Sequence, residues 1–145
     1  KTFRLIAGKG RDAFYKGEIA QAILSTSRRQ GGTMTAEDLA SFSSEWVSPV
    51  SIDYRGWKVY ELPPNGQGMA ALEMLNIMEA VPAKPGAPIG SPLDAAEMHK
   101  RIEAMKLAYS DLYRYDADPH FSDVPVAGLL SKEYARKRAA RSDPH

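Results

Sequence analysis

A short glycine loop has residue types and spacing that approach those of a ligand-binding motif. Asn65-Gly66-Gln67-Gly68 follows two prolines at the end of a predicted strand, and it precedes an apolar helix predicted for residues 69–81. Backbone amides at the start of a helix can bind an anion such as phosphate. The loop lacks the lysine and the serine or threonine of a P-loop, and its spacing differs from that of dinucleotide-binding loops. The pattern therefore favours a tight turn that caps the helix.

The histidines and the clustered aspartates do not form the pattern of a catalytic or metal centre. No histidine has other ligand residues at the spacing of a metal site, so we predict no metal ion. Paired carboxylates can carry out acid–base hydrolysis, but these aspartates are better explained by helix capping and ion pairing. The residues considered are His99, His120, His145, Asp111, Asp116 and Asp118.

Basic residues near the C-terminal end also have a simple structural interpretation. A predicted tail helix carries Arg136, Lys137, Arg138 and Arg141. A nucleic-acid-binding surface combines such charges with aromatic residues on a basic protein, and neither is found here. We therefore interpret these residues as a solvated helix face and predict no nucleic-acid partner. A second glycine loop, Gly8-Lys9-Gly10, carries no functional signal by itself.

The composition is that of an ordinary globular chain. Of the 145 residues, 43% are hydrophobic and 26% are charged, and the formal net charge is +1. This balance favours neither nucleic acid nor an anionic membrane, and no apolar run approaches the ~20 residues that span a bilayer. The absence of cysteine excludes disulfides, thiolate nucleophiles and cysteine-ligated zinc. No targeting signal is predicted within the chain.

The elements that would position these residues predict an α+β chain, mostly helical, with one β-hairpin. Residues 1–44 are predicted to be helical, with segments at 11–16, 18–29 and 36–42 and with Thr35 as an N-cap. Residues 46–62 alternate apolar and polar side chains around the two-residue turn Arg55-Gly56. This alternation predicts a hairpin, of which the more apolar second strand should be the more buried.

Residues 68–141 are predicted to be helical again. The helix at 69–81 is apolar on nearly all sides and therefore needs burial. A proline- and glycine-rich loop is predicted for residues 81–92, followed by a long helix at 93–115 and a tail helix capped by Ser131. The stripe predicted for the long helix consists of Met98, Ile102, Met105, Tyr109 and Leu112.

Several ordered motifs resemble those of the large subunit of the γ-glutamyltransferases, also called γ-glutamyl transpeptidases. The resemblance extends from about Ile6 to Arg138 and departs from the family at Leu112, where an arginine is usual. The matching stretches are residues 10–20, 31–32, 34–39, 45–47 with Pro49, 54–56, 62–68, 103–109 with Asp111, 117–119 and 124–134.

The resemblance implies that this chain is an internal fragment of a larger enzyme. Family members are N-terminal-nucleophile hydrolases with an αββα sandwich, to which the predicted hairpin would belong. A precursor cleaves itself, and the new N-terminal threonine of the small subunit attacks a γ-glutamyl amide with its own α-amine as base. The γ-glutamyl group then passes to water, an amino acid or a peptide, without a metal or organic cofactor.

The same resemblance places no catalytic or substrate-binding residue in this chain. Residue 1 is lysine, so the nucleophilic threonine is expected downstream, and the arginine that binds the substrate carboxylate is expected upstream. His120-Phe121-Ser122 matches part of the nucleophile motif, but Asp118-Pro119 precede it and no threonine is present. We interpret that match as coincidence.

Partners and alternatives follow from the same comparison of motifs. The expected partners are the remainder of the large subunit, the threonine-led small subunit and a small γ-glutamyl substrate of the whole enzyme. The resemblance implies a periplasmic or secreted location. The segment alone is expected to be inactive and, because of its apolar helix at 69–81, prone to self-association. Two alternatives remain open, namely an acylase of the same superfamily that acts on cephalosporin side chains and a non-catalytic helical interaction module.

Overall fold

A computed structural model describes residues 1–81 and 94–142 of the chain. The chain divides into two compact units, Lys1–Trp46 and Val47–His145. Apart from Val81, the loop predicted for residues 81–92 lies outside the described residues, as does His145. Among the helices that the structure describes, none is long and apolar enough to cross a membrane.

The first unit is built from short helices. They are α1 (Thr2–Lys9), α2 (Asp12–Tyr15), α3 (Glu18–Arg29) and α4 (Ala36–Ala40). In α3, Ala20 and Leu24 are buried. The predicted cap of α4 is confirmed, since Thr35 and Asp38 each accept a hydrogen bond from the other's backbone N–H.

Helix α1 shows that the interpretation of Gly8-Lys9-Gly10 as a loop is wrong. Gly8 and Lys9 belong to this helix instead of a glycine loop, and the helix ends at Gly10, whose φ is 68°. None of the residues of α1 is buried. Its apolar residues Leu5 and Ile6 are only half-buried, so packing contributes little to this helix.

The β-hairpin forms the start of the second unit. Strand β1 (Val50–Tyr54) pairs antiparallel with β2 (Trp57–Glu61), and Ile52 lies opposite Val59. Arg55 and Gly56 both have positive φ, 49° and 86°, as a type I′ turn requires.

Two details of the predicted hairpin are wrong. Trp46 is fully exposed and lies outside the strands, and β1 is the more buried strand because it contributes the buried Ile52. In β2, Trp57 and Tyr60 are exposed instead. Burial depends on which face a neighbouring helix covers, and the apolar content of a strand does not determine that.

Three helices form the core of the second unit. Helix α5 (Gly68–Ala80) packs against α6 (Ala95–Tyr115) and α8 (Lys132–Ala139), and α7 (Val126–Leu129) precedes α8. The hairpin also packs on α5, so α5 is surrounded as its apolar sequence predicts. The core cluster consists of Ala70, Ile77, Ala104, Ala108 and Ala135.

The predicted buried stripe of α6 is wrong over most of its length. Met98, Ile102 and Met105 are exposed, whereas Ala104 and Ala108 are buried against α5. Small side chains let two helices approach closely, and they place the larger apolar residues on the outer side. The end of the stripe fits the prediction better, since Tyr109 and Leu112 pack against the core.

Candidate functional site

The glycine loop is held between the hairpin and the start of α5. Glu61, the last residue of β2, places its Oε2 atom 2.9 Å from the position that a Cβ at Gly68 would occupy. A carboxylate beside the first residue of a helix complements the positive end of the helix dipole. The same carboxylate would repel a phosphate, which agrees with the interpretation of the loop as a helix cap.

A groove of about 420 Å³ opens beside this loop. Its polar side is formed by Glu61 and Gln67, and the Tyr109 hydroxyl donates a 3.0 Å hydrogen bond to Gln67 Oε1. Met74 and Met105 supply an apolar side. The lining residues include no cysteine, serine, threonine, histidine or lysine, and the ionisable side chains of the groove are Glu61 and Tyr109.

We expect Gly68→Ala to destabilise the second unit by about 1–2 kcal/mol. A Cβ at this position would lie 2.9 Å from Glu61 Cβ and 3.1 Å from Leu62 O, and overpacking of this kind costs roughly 1–3 kcal/mol. The cost exceeds the ~0.5–1 kcal/mol that alanine gains over glycine in a helix. Urea denaturation followed by circular dichroism measures the change.

Gly66→Ala is the matched control, because a Cβ at Gly66 meets nothing within 4 Å. This control should be neutral or slightly stabilising. Equal effects of the two substitutions would contradict the close approach of Glu61 to Gly68.

A second group of polar residues lies buried between α5, α6 and α8. This polar cluster is defined by Glu73, Asn76, Asp111, Tyr134 and Arg138. The exposed fraction is 2% for Glu73, 4% for Asp111 and 8% for Arg138. Buried charges are rare in proteins unless they are paired, so the contacts within the cluster decide what it does.

Asp111 is the central acceptor of the polar cluster. Arg138 Nε lies 2.8 Å from Asp111 Oδ2, and the Tyr134 hydroxyl donates a 3.0 Å hydrogen bond to the same oxygen. Arg138 Nη2 also donates to Leu107 O at 2.8 Å, and Asn76 Nδ2 donates to Leu130 O at 2.9 Å. These contacts tie α8 and the segment before it to α5 and α6.

The electrostatics of the polar cluster favour a proton on Glu73. Burial raises the pKa of Glu73 to about 9, and a hydrogen bond with Asp111 and the charge of Asp111 act in the same direction. At neutral pH, Glu73 is therefore protonated and can donate to the Asp111 carboxylate. Burial and the contact with Asp111 also raise the pKa of Tyr134 to about 12, so its hydroxyl keeps its proton as well.

The remaining predicted site residues are not brought together. His99 is half-buried on α6, and His120 is exposed in a turn in which its backbone N–H donates to Asp118 Oδ1. Phe121 of the His-Phe-Ser sequence is also exposed. Within residues 1–81 and 94–142, no group of three or more histidine, aspartate or glutamate side chains could hold a metal ion.

The interpretation of the basic tail is correct for some residues and wrong for one. Arg136, Lys137 and Arg141 are exposed, as predicted for a solvated face. Arg138 is buried instead, because helical periodicity turns it toward the Asp111 carboxylate. For Asp111 the predicted ion pairing is confirmed.

Sequence reasoning missed Glu73 and Asn76. They lie three residues apart on α5, a helix whose prediction from the sequence rested on its apolar residues alone. The available signal was that a helix buried on most sides must also bury its few polar residues, and buried polar residues need partners. All members of the polar cluster except the half-buried Tyr134 are buried, and the chemistry of the cluster is that of a structural network.

Comparisons with known proteins give one consistent family. The family model described as gamma-glutamyltranspeptidase matches residues 1–145. The glutathione hydrolase proenzyme of Escherichia coli is 40% identical over 99% of this chain and 24% of its own length. The chain thus spans about a quarter of the length of the curated relatives it matches.

Two solved structures have a similar fold. A cephalosporin acylase from Bacillus halodurans is 45% identical, with a TM-score of 0.72, over 97% of this chain and 25% of its own. A gamma-glutamyltranspeptidase from Pseudomonas nitroreducens, complexed with L-DON, is 34% identical, with a TM-score of 0.75, over 99% of this chain and 42% of its own.

Proposed function

Because the chain belongs to the γ-glutamyltranspeptidase family, we propose that it is a structural segment of an enzyme that cleaves γ-glutamyl amides such as glutathione. The family match over residues 1–145 carries this proposal. In the complete enzyme, an N-terminal threonine outside this segment attacks the amide, with its α-amine as the base. The γ-glutamyl group then passes to water, an amino acid or a peptide.

The role of this segment is to support the catalytic part. Asp111, Tyr134 and Arg138 hold helices together in the polar cluster, and Thr35 and Asp38 cap a helix, which are the uses expected of polar residues in a supporting segment. The hairpin is proposed to join an αββα sandwich in the complete enzyme. Its exposed apolar residues Trp57, Tyr60 and Leu62 are suited to contact with such neighbours.

The partners are proposed to be the remainder of a large subunit and a threonine-led small subunit. Two observations support a precursor that is cut into subunits. The Escherichia coli relative is named a proenzyme, and this chain covers 24% of it but 42% of the Pseudomonas nitroreducens chain. The location, periplasmic or secreted, is proposed from the resemblance of the motifs to the family.

The deciding experiment is an assay of the complete protein that contains this chain. We expect the matured protein to cleave a γ-glutamyl anilide and to leave the α-linked anilide intact, while the 145-residue segment alone releases no product. Cleavage by the carefully purified segment would overturn the assignment of catalysis to other segments. A matured protein without γ-cleavage would favour a non-catalytic helical interaction module or the acylase activity below.

A cephalosporin acylase is a second candidate function. The observation that favours it is the 45% identity to the Bacillus halodurans acylase, which exceeds the 34% identity to the Pseudomonas nitroreducens transpeptidase. Both identities describe only this segment, and specificity resides in residues that contact the substrate. Parallel assays with a glutaryl cephalosporin and the γ-glutamyl anilide separate the two, since the preferred substrate should have the higher kcat/KM.

A further inference from the structure

The polar cluster places two buried carboxyl groups against one cation. Glu73 of α5 faces Asp111 of α6, and Arg138 of α8 pairs with Asp111. Glu73 Oε1 has no hydrogen-bond partner within the described structure, whereas Asp111 Oδ2 accepts a hydrogen bond from the Tyr134 hydroxyl and forms an ion pair with Arg138. The charges of Glu73, Asp111 and Arg138 therefore sum to zero only while one of the two carboxyl groups carries a proton.

Helix α8 depends strongly on this cluster for its attachment. Only Ala135 and Arg138 are buried in α8, and Arg136, Lys137 and Glu133 face solvent. A helix with so little apolar burial gains little from packing alone. The Asp111–Arg138 ion pair and the bond from Tyr134 to Asp111 are thus a large part of what holds α8 on α6.

We propose that the proton shared by Glu73 and Asp111 is a lock that holds α8 on α5 and α6, and that loss of this proton releases α8. With the proton present, Glu73 is neutral and the Asp111–Arg138 pair is undisturbed. Without it, two negative charges compete for Arg138 on side chains that are only 2% (Glu73) and 4% (Asp111) exposed. The local opening of α8 lets Glu73 reach solvent and removes this repulsion.

The charged groups around Glu73 are consistent with such a lock. Asp111 faces it from α6, and Arg138 and Tyr134 face it from α8. Tyr134 keeps its proton well above the range in which Glu73 titrates. The hairpin and α8 place other charged residues against α5, but these lie more than one helical turn from Glu73. Glu61 lies beside Gly68 at the start of α5, and Arg55 and Lys132 lie beside Glu79 near its end.

The direction of the pH dependence follows from linkage. The pKa of Glu73 is raised from its ordinary value of 4.5 to about 9 in the closed structure, so the closed structure binds the proton more tightly than the open one. The stability of the closed form is therefore full below the open-state pKa and decreases as the pH rises through the closed-state pKa. The equilibrium constant for opening of α8 should rise by up to tenfold per pH unit between the open-state pKa of 4.5 and the closed-state pKa of about 9, and then level off.

Native-state hydrogen exchange of the complete protein tests the lock. The exchange rates of the α8 amides are first corrected for the intrinsic dependence of exchange on pH. The opening constant obtained from them should rise with pH as described in the wild type and should not change with pH in Glu73→Gln. The glutamine can donate to Asp111 as the protonated glutamate does, but it cannot ionise. A slope that persists in Glu73→Gln would overturn the proposal.

Glu79→Gln is the matched control on the same helix. The Lys132 ammonium and the Arg55 backbone N–H hold the pKa of Glu79 below its usual range, so Glu79 stays ionised throughout the experiment. This variant should weaken the attachment of α8 equally at every pH and keep the wild-type slope. If Glu73→Gln does not fold, the wild type still decides the matter, because an α8 that opens without a pH slope would contradict the lock.

Discussion

Replacing Arg138 with methionine should lower the free energy of opening of α8 by about 3–5 kcal/mol. The change leaves Asp111 buried without its cation, and the loss of one partner of a buried ion pair costs that much. Leu107 O also loses its donor, Arg138 Nη2. Methionine keeps most of the apolar stem of arginine, so the substitution tests the charge more than the packing. Native-state hydrogen exchange of the α8 amides measures this free energy.

Two further variants show whether the effect comes from the buried charge. Arg136→Met changes the same residue type on the exposed side of α8 and should shift the free energy of opening by no more than about 0.5 kcal/mol. The double variant Asp111→Asn with Arg138→Met should recover part of the loss, because no buried charge is then left unpaired. A double variant as unstable as the sum of the two single variants would show that Asp111 and Arg138 are not coupled.

Features that depend on a few neighbouring residues could be predicted from the sequence. The Thr35 cap, the Ser131 cap and the Arg55-Gly56 turn are all found as expected. Each is decided by side-chain or backbone chemistry within four residues. The same locality explains the correct overall prediction of a mostly helical chain with a two-stranded antiparallel sheet.

Burial was predicted correctly for α5, which is apolar on nearly all sides. The sequence of α6 has both large and small apolar residues, and periodicity alone favoured the large ones. Close packing against α5 selects the small ones, Ala104 and Ala108, which is a property of the pair of helices. The pairing of Asp111 with Arg138 and Tyr134 likewise joins residues more than twenty positions apart, and no local pattern specifies it.

Substitution of two isoleucines tests whether packing, and not helical periodicity, determines which residues are buried. Ile77 of α5 is completely buried, whereas Ile102 of α6 is 45% exposed. Ile77→Ala should destabilise the second unit of the 145-residue chain by about 2–5 kcal/mol, because it removes buried methyl and methylene groups and leaves a cavity. Ile102→Ala should change stability by no more than about 0.5 kcal/mol. Urea denaturation followed by circular dichroism, at protein concentrations low enough for the midpoint to be independent of concentration, gives both values.

The same pair of variants also tests whether α6 has a neighbour in the complete protein. If the exposed residues Met98, Ile102 and Met105 contact another segment there, the cost of Ile102→Ala should rise from near zero in the 145-residue chain toward that of Ile77→Ala. The cost of Ile77→Ala should stay the same, because its side chain is already covered by α6 and α8. A large cost of Ile102→Ala in the 145-residue chain itself would instead mean that periodicity was right and that α6 presents its large residues to α5.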